Sequence, residues 1–194
     1  MFSLAARYSA RTADVPLPED GSMWSAGDEY MEDAKVILDR TYAASRPSTC
    51  QALLLLGYRE VGIGAMAQAW LYVGMAVRMA QDLGLHKCAE SWTAIGRNLF
   101  SKAELQERRR IWYGCVIMDK YICTYIGRPV AICERDFDTP LPLVEEPEET
   151  ELWQPHPTPQ VMEDPNEISP EVSPLPGRVI SCFNESAKLC ESHF

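Results

Sequence analysis

The chain has 194 residues, of which 46% are hydrophobic, and its 28 acidic and 18 basic residues give a net charge of −10 at pH 7. This length and apolar share are sufficient for one domain with a buried core. Eleven acidic residues and no Lys or Arg lie between positions 136 and 177, so the rest is close to neutral (18 basic and 17 acidic residues), which excludes an extended basic surface that binds nucleic acid.

The first part of the chain predicts two helices with a loop between them. Residues 1–10 are typical of the end of a helix, and the prolines and glycine within residues 16–21 predict a loop. Ser22 or Ser25 is the predicted cap of a helix that continues through Ser45. The apolar stripe of that helix would consist of Tyr30, Ala34, Ile37, Leu38 and Tyr42.

Two consecutive helices with a break between them form the next predicted unit. Pro47 opens the first helix, which continues to Tyr58, and the glycines within residues 62–64 end it. The second covers residues 65–82 and stops before Gly84. Gln and charged side chains interrupt its apolar sequence, so it is predicted to be a buried helix rather than a membrane span. Together the two predict an antiparallel helical hairpin.

The longest predicted helix covers residues 102–126. Ser101 and Glu104 have the S-x-x-E spacing of a capping box, in which each residue satisfies a free backbone N–H at the helix start. Gly127 and Pro129 end the helix, and its second half is apolar on all sides, which predicts a central, buried position. No stretch shows sustained alternation of apolar and polar residues. The predicted fold is therefore all-α, an irregular helical bundle without a sheet.

A proline-rich acidic segment follows this helix. Residues 140–176 contain ten of the fourteen prolines, and such a composition cannot bury enough apolar surface to offset the loss of chain entropy on folding. A Pro/Glu-rich disordered linker is predicted there, and helical spacing resumes over residues 178–190. The predicted organisation is a helical domain at 1–139, incomplete at its N-terminus, a linker at 140–176, and a truncated helix at 177–194 that starts the rest of the domain.

The cysteines do not predict a metal site. There are seven, an odd number, and no two have C-x-x-C spacing. Most lie within apolar helical patterns, where a free cysteine acts as a small hydrophobic residue, so reduced core thiols and a reducing compartment are predicted. The sequence contains no secretory signal and no catalytic or nucleotide-binding motif. We therefore predict no catalytic, cofactor-binding or metal-ligating residue.

Residues 107–129, E-R-R-R-I-W-Y-G-C-V-I-M-D-K-Y-I-C-T-Y-I-G-R-P, carry the strongest resemblance to a known family. The run resembles the signature of the middle homology region of fungal zinc-cluster transcription factors. In that signature, paired arginines precede paired aromatics, an acid–base pair follows, and the helix ends at Gly-Arg-Pro. The matching signature residues here are Arg109, Arg110, Trp112, Tyr113, Asp119, Lys120, Gly127, Arg128 and Pro129.

Two further blocks support the resemblance. Residues 132–142, I-C-E-R-D-F-D-T-P-L-P, look like the continuation of the signature, and residues 69–86 are similar to the other common block of the region. The match covers residues 48–143, and its nearest subgroup is the xylanolytic-activator-like regulatory domain. The family's zinc module needs six closely spaced cysteines, which this sequence does not supply, so the chain is expected to be a fragment of a longer protein.

The resemblance implies an all-helical regulatory region, with an effector or inhibitory role, in a nuclear factor that controls transcription by RNA polymerase II. The expected role is interaction rather than catalysis. The expected partners are other regions of the parent factor and, in addition, co-regulator proteins, with no membrane. Zinc and DNA would be bound only by the parent family's N-terminal module.

The charged residues of the long helix are predicted to be structural. Residues 108–110, all arginine, lie where the helix becomes apolar, which favours ion pairs over contacts with nucleic acid. Asp119 shares a helix face with Trp112, and a carboxylate there requires a partner because an isolated buried charge is costly. We predict a buried ion pair between Asp119 and Arg78, with Arg128 as the second choice of partner.

Two alternatives remain, a small α-helical enzyme and a helical protein-interaction module. An enzyme built on a bundle would need inward-facing acids or histidines at i, i+3 or i+4. Asp82 and His86 have that spacing, but Gly84 lies between them and is predicted to end the helix. A set of aromatic and Met side chains is compatible with an effector pocket, although a core role is favoured. The set is Trp70, Tyr72, Met75, Met79 and Trp112.

Overall fold

In the computed structural model, the described residues are 1–6, 26–145, 147–153 and 174–192. Their main elements are helices, so the predicted all-α fold is confirmed. These are α1 (Phe2–Ala5), α2 (Asp28–Thr41), α3 (Pro47–Gly62), α4 (Met66–Asp82), α5 (Lys102–Ile126) and α6 (Val179–Ser192). Two short antiparallel ribbons accompany them: β1 (Thr93–Ala94) pairs with β2 (Arg97–Asn98), and β3 (Leu152–Trp153) pairs with β4 (Leu175–Pro176). Within these ranges, every helix is too short or too polar to traverse a lipid bilayer.

Helix α5 begins and ends where the sequence predicts. The Ser101 hydroxyl accepts the N–H of Glu104 at 3.3 Å, and the Glu104 carboxylate accepts the N–H of Ser101 at 2.7 Å, which confirms the capping box. Hydrogen bonds from the backbone and the side chain of Ser101 lower the pKa of the Glu104 carboxyl. At the other end, Gly127 has a φ of +66°, the left-handed conformation that commonly ends helices.

The core lies between α3, α4 and α5. Gly57 on α3 permits a close approach of α4, because a Cβ at this position would lie 2.8 Å from Cγ2 of Val73. Cys50 and Cys115 are completely buried with their Sγ atoms 3.9 Å apart, and all seven cysteines are free thiols. The largest fully buried apolar side chains include Met31, Leu53, Val73, Leu85, Trp112 and Ile122.

Helix α2 differs from its predicted form at the start and in its buried face. It begins at Asp28, after Gly27 in the left-handed conformation, while Ser22 and Ser25 lie outside the described residues. Only Leu38 of the predicted stripe is fully buried there, together with Met31. Several stripe residues are exposed because the described elements cover that side of α2 only in part. These are Tyr30, Ile37 and Tyr42.

After α5 the chain turns back and runs along that helix. We call residues 128–145 and 147–149 the return segment. It contains two short 3₁₀ turns, Glu134–Asp136 and Pro147–Glu149, and otherwise has no regular secondary structure. The Glu149 carboxylate accepts the N–H groups of Ile180 and Ser181 at 3.1 and 3.0 Å, so the return segment caps the start of α6. Hydrogen bonds from Ser181 lower the pKa of Glu149.

The structure differs from the predicted linker at both of its ends. The carbonyl of Pro142 accepts the amide of the buried Asn184 on α6 at 2.9 Å. Further along, β3 and β4 pair across the segment. The described parts of residues 140–176 are thus held by specific contacts at the two ends of the segment, and the disordered linker stays a prediction. Proline-rich composition does not prevent this, because each proline keeps its carbonyl acceptor. The central residues, 154–173, lie outside the described residues.

The turn between β1 and β2 provides a test of local strain. Ile95 has a φ of +52° and a fully exposed side chain, and Gly96 follows with a φ of +73°. A β-branched residue tolerates this region poorly, whereas Asn-Gly is the preferred pair in such two-residue turns. Ile95→Asn is therefore expected to raise the free energy of unfolding by about 1 kcal/mol.

The measurement is the guanidinium chloride unfolding midpoint followed by circular dichroism. Ala94→Asn is the matched control, because Ala94 is also exposed but lies in a strand with ordinary φ. An Ile95→Asn protein that is no more stable than the original chain would show that the turn is not strained.

Candidate functional site

The arginines of α5 are engaged by neighbouring elements. Arg108 donates to the carbonyls of Leu83 and Gly84 at 3.2 and 2.9 Å, where α4 has just ended, and its Cζ lies 4.2 Å from the ring centroid of Phe100. Positive charge at the carboxyl end of a helix is favourable. Burial lowers the pKa of Arg108. This arginine therefore joins α4, α5 and the base of the β1–β2 hairpin.

The other two arginines form the structural ion pairs that the sequence predicts. Arg109 is buried, pairs with Glu90 and donates to the carbonyl of Leu141 at 3.4 Å. Arg110 pairs with Glu148 at 3.3 Å. Both carboxylates come from segments outside α5, so the pairs attach the preceding loop and the return segment to this helix.

The paired aromatics form the centre of the same assembly. Trp112 has no solvent exposure, and its ring centroid lies 5.8 Å from that of His86 and 5.4 Å from that of Phe137. Tyr113 donates its hydroxyl to the carbonyl of Thr139 at 2.9 Å. Burial is the main reason that the pKa of Tyr113 is raised well above its usual range. Both side chains are therefore core residues with a structural role.

Asp119 is buried as predicted, at 3% exposure, but its predicted partner is wrong. Its Oδ2 accepts the backbone N–H groups of Ala131 and Ile132 at 2.8 and 3.0 Å. Arg78 is instead exposed, and its Nη1 donates to the carbonyl of Gly74 within α4 at 2.9 Å. A carboxylate is well satisfied by two converging N–H groups, so no cation is required.

The remaining signature residues complete the turn after α5. The second-choice partner, Arg128, has its Cζ 4.2 Å from the ring centroid of Trp70, a cation–π contact with α4. The carbonyl of Pro129 accepts the thiol of Cys123 at 3.4 Å. Lys120 is also buried. Together with Gly127, which reverses the chain, these residues direct the return segment back along α5.

Several contacts of the return segment involve residues that sequence reasoning missed. The side-chain oxygen of Gln106 accepts the N–H of Leu143 at 3.1 Å, and the Thr139 hydroxyl donates to the carbonyl of Leu85 at 2.6 Å. The one sequence signal for the role of Gln106 was its polar side chain close to the arginine run. Its burial is seen only in the structure. The contacts from Asp119, Tyr113, Arg109 and Gln106 follow one another in antiparallel order along the segment.

The described residues do not contain the constellation that a metal enzyme would need. Among them, no three His, Cys, Asp or Glu residues are placed to share a metal ion. Helix α4 ends at Asp82, and Gly84 has a φ of +66°, so Asp82 and His86 do not share a helix face. Burial lowers the pKa of His86, whose ring packs at a tilt against Trp112.

A sizeable groove lies beside α3, on the side that faces α1 and α2. It has a volume of about 680 Å³ and is bounded by α1, α2 and α3. None of the five residues considered for an effector pocket lines it. Its apolar lining includes Phe2, Tyr30, Ile37, Leu38, Leu55 and Leu56, and its charged lining consists of Asp33, Arg46 and Arg59. We call it the α2–α3 groove.

Comparison with known proteins gives one consistent family. The family described as "fungal specific transcription factor domain" matches residues 1–174. The chain is 31% identical over 158 residues to the nitrogen assimilation transcription factor nit-4 of Neurospora crassa, covering 80% of this chain and 14% of that protein. It is 33% identical over 158 residues to the nitrogen assimilation transcription factor nirA of Emericella nidulans, covering 80% and 17%.

A third similarity is shorter. The chain is 33% identical over 103 residues to the TY1 enhancer activator of Saccharomyces cerevisiae, covering 51% of this chain and 14% of that protein. The chain thus spans about a seventh to a sixth of the length of these three relatives. No solved structure gives a significant match.

Proposed function

The chain belongs to the fungal specific transcription factor domain family, and from this membership we propose that it regulates a longer nuclear factor that controls transcription by RNA polymerase II. The match over residues 1–174 is the observation that carries the proposal. Within such a factor, the chain would hold inhibitory or activating contacts with other regions of the same polypeptide or with co-regulator proteins. Two of its matched relatives are named as transcription factors and a third as an enhancer activator, so the enzyme alternative is not favoured.

The placement of the signature residues supports a role in binding rather than in chemistry. The side chains of Arg109, Arg110 and Asp119 are occupied by contacts that join α5 to its neighbours. Residues that are used in this way stabilise a rigid scaffold, and binding surfaces are commonly presented by such a scaffold. The proposed regulatory contacts would therefore be made by the outer faces of the bundle.

A reporter fusion tests the proposal. The chain is inserted between a heterologous DNA-binding domain and a strong activation domain in a fungal host. We expect it to change reporter output by at least about fivefold, the lower end of typical coupling between two sites. The same fusion carrying Trp112→Ala should return to the output without the insert, with protein amounts checked by immunoblot. If the original insert leaves the output unchanged, or if the Trp112→Ala insert acts as strongly, the proposal fails.

A second prediction concerns zinc and DNA. We expect the purified chain to bind neither, since the family's zinc module needs closely spaced cysteines that are not in this sequence, and the charge outside residues 136–177 is near zero. Zinc is measured after dialysis by elemental analysis, and DNA binding by electrophoretic mobility shift at near-physiological salt. Stoichiometric zinc, or retardation of a duplex that weakens as salt rises, would contradict this assignment of both activities to another part of the factor.

A further inference from the structure

The α2–α3 groove is formed by one face of each of its two long helices. On α2 the lining residues recur at Tyr30, Asp33, Ile37 and Thr41, and on α3 they run from Ser48 to Arg59. Both sets have the spacing of a single helix face. At 1.5 Å per residue, the α3 side of the groove is about 16 Å long, or about three helical turns.

The walls of this groove carry large apolar side chains that remain exposed. Ile37 is 62% exposed, Tyr30 is 44% exposed and Leu55 is 36% exposed, and Phe2 on α1 is 76% exposed. A contiguous apolar surface between two helices is normally covered by a further element, because helix stripes are stabilised by burial against one another. The groove therefore has the shape and surface of a receptor for a helix.

Charges at the groove define the chemistry of its occupant. Arg46 lies at the start of α3, where no side-chain cap or first-turn acid is present, and within the described residues no carboxylate pairs with it. The positive end of the α3 dipole adds to this charge. At the far end, Arg59 is already paired with Asp28 and Glu60. The unmatched positive end thus favours an acidic residue on the occupant near Arg46.

A second charge gives the occupant a direction. Asp33 is the carboxylate that lines the groove. It lies eight residues before Thr41, and Thr41 ends α2 shortly before α3 starts. This spacing is about 12 Å, or about two helical turns. A basic residue on the occupant about two turns from its acid would therefore face Asp33.

We propose that the α2–α3 groove binds an amphipathic helix of about three turns, supplied by another part of the same polypeptide, with an acid facing Arg46 and a base facing Asp33. This deepens the proposed function and rests on it, because it identifies the surface for an internal regulatory contact. The chain matches only 14% and 17% of two relatives, so proteins of this family contain a great length of polypeptide that can provide such a helix. A second copy fits less well, because two concave grooves facing each other leave their volume unfilled.

The test uses synthetic peptides of about 20 residues, enough for five helical turns, that overlap and tile the rest of the full-length factor. Each is titrated against the purified chain by fluorescence anisotropy, and bound peptides are examined by circular dichroism. We expect one peptide to bind and become helical. Ile37→Asp and Leu55→Asp should each weaken it at least about tenfold, as expected for residues at the centre of an interface. Arg46→Gln should weaken it less, with an effect that shrinks at high salt.

Val36→Asp is the matched control, because Val36 is 51% exposed on the same helix but does not line the groove. This variant should bind as the original chain does. The proposal is overturned if no peptide binds, or if Val36→Asp is as damaging as Ile37→Asp. It is also overturned if sedimentation shows a dimer that Ile37→Asp dissociates. A reporter effect that persists while no peptide binds would refute the groove assignment alone and leave the regulatory function standing.

Discussion

Replacement of Trp112 by alanine is expected to lower the free energy of unfolding by about 3–5 kcal/mol. The side chain has no solvent exposure and packs between His86 and Phe137, so its removal leaves a large cavity at the centre of the bundle. The indole also belongs to the buried core cluster, whose packing limits collapse around the gap. The change is measured by chemical denaturation. Unfolding is followed by the circular dichroism of the helices rather than by tryptophan fluorescence, because the substitution removes a tryptophan.

Two controls separate cavity formation from other effects. Trp112→Phe should cost much less, because it retains most of the ring volume and because the indole N–H has no hydrogen-bond partner in the described residues. Tyr125→Ala, at a position on the same helix that is 72% exposed, should change stability by less than about 0.5 kcal/mol. A loss below about 0.5 kcal/mol for Trp112→Ala itself would show that this residue is not in the core.

Replacement of Asp119 by alanine is expected to cost about 3 kcal/mol, because it leaves the N–H groups of Ala131 and Ile132 without their acceptor. The effect arises from backbone groups of the return segment rather than from a stranded cation. Asp119→Asn should cost less, since an amide oxygen can still accept both hydrogen bonds without the added strength of a charge. Urea unfolding of the two variants provides the comparison.

Arg78→Met is the informative control for Asp119, because Arg78 is exposed and bonds within its own helix. It should be close to neutral, and the double variant with Asp119→Ala should show the sum of the two single effects. Recovery of stability in the double variant would reveal a coupling between these residues, and the backbone-amide explanation would then be incorrect.

The features that could be predicted from the sequence are those with a local physical cause. The bounds of α5 follow from the capping box at Ser101 and Glu104 and from Gly127, all within one turn of the helix ends. The burial of Asp119 follows from its helical face. Its partner could not be predicted, because two backbone N–H groups in an irregular turn have no signature in residue types.

The contacts at the ends of the predicted linker could not be predicted for a related reason. Composition describes the average tendency of residues 140–176, whereas the order of their described parts depends on single distant contacts, such as that between Pro142 and Asn184. For the exposed face of α2, by contrast, the local pattern is clear, but its exposure could not be predicted. Helical periodicity identifies an apolar stripe at Tyr30 and Ile37 but cannot say whether any element of this chain covers it.

The antiparallel course of the return segment also has a kinetic consequence. Its contacts close progressively larger loops, with sequence separations of 12 residues for Asp119 to Ala131, 26 for Tyr113 to Thr139 and 37 for Gln106 to Leu143. Closing the shortest loop first costs the least chain entropy, and each contact then leaves only a few free residues before the next. The segment can therefore dock onto α5 one contact after another, starting at Asp119. The contact of Asp119 has the fewest intervening residues. The rate at which the far end of the segment docks onto α5 therefore depends on this contact.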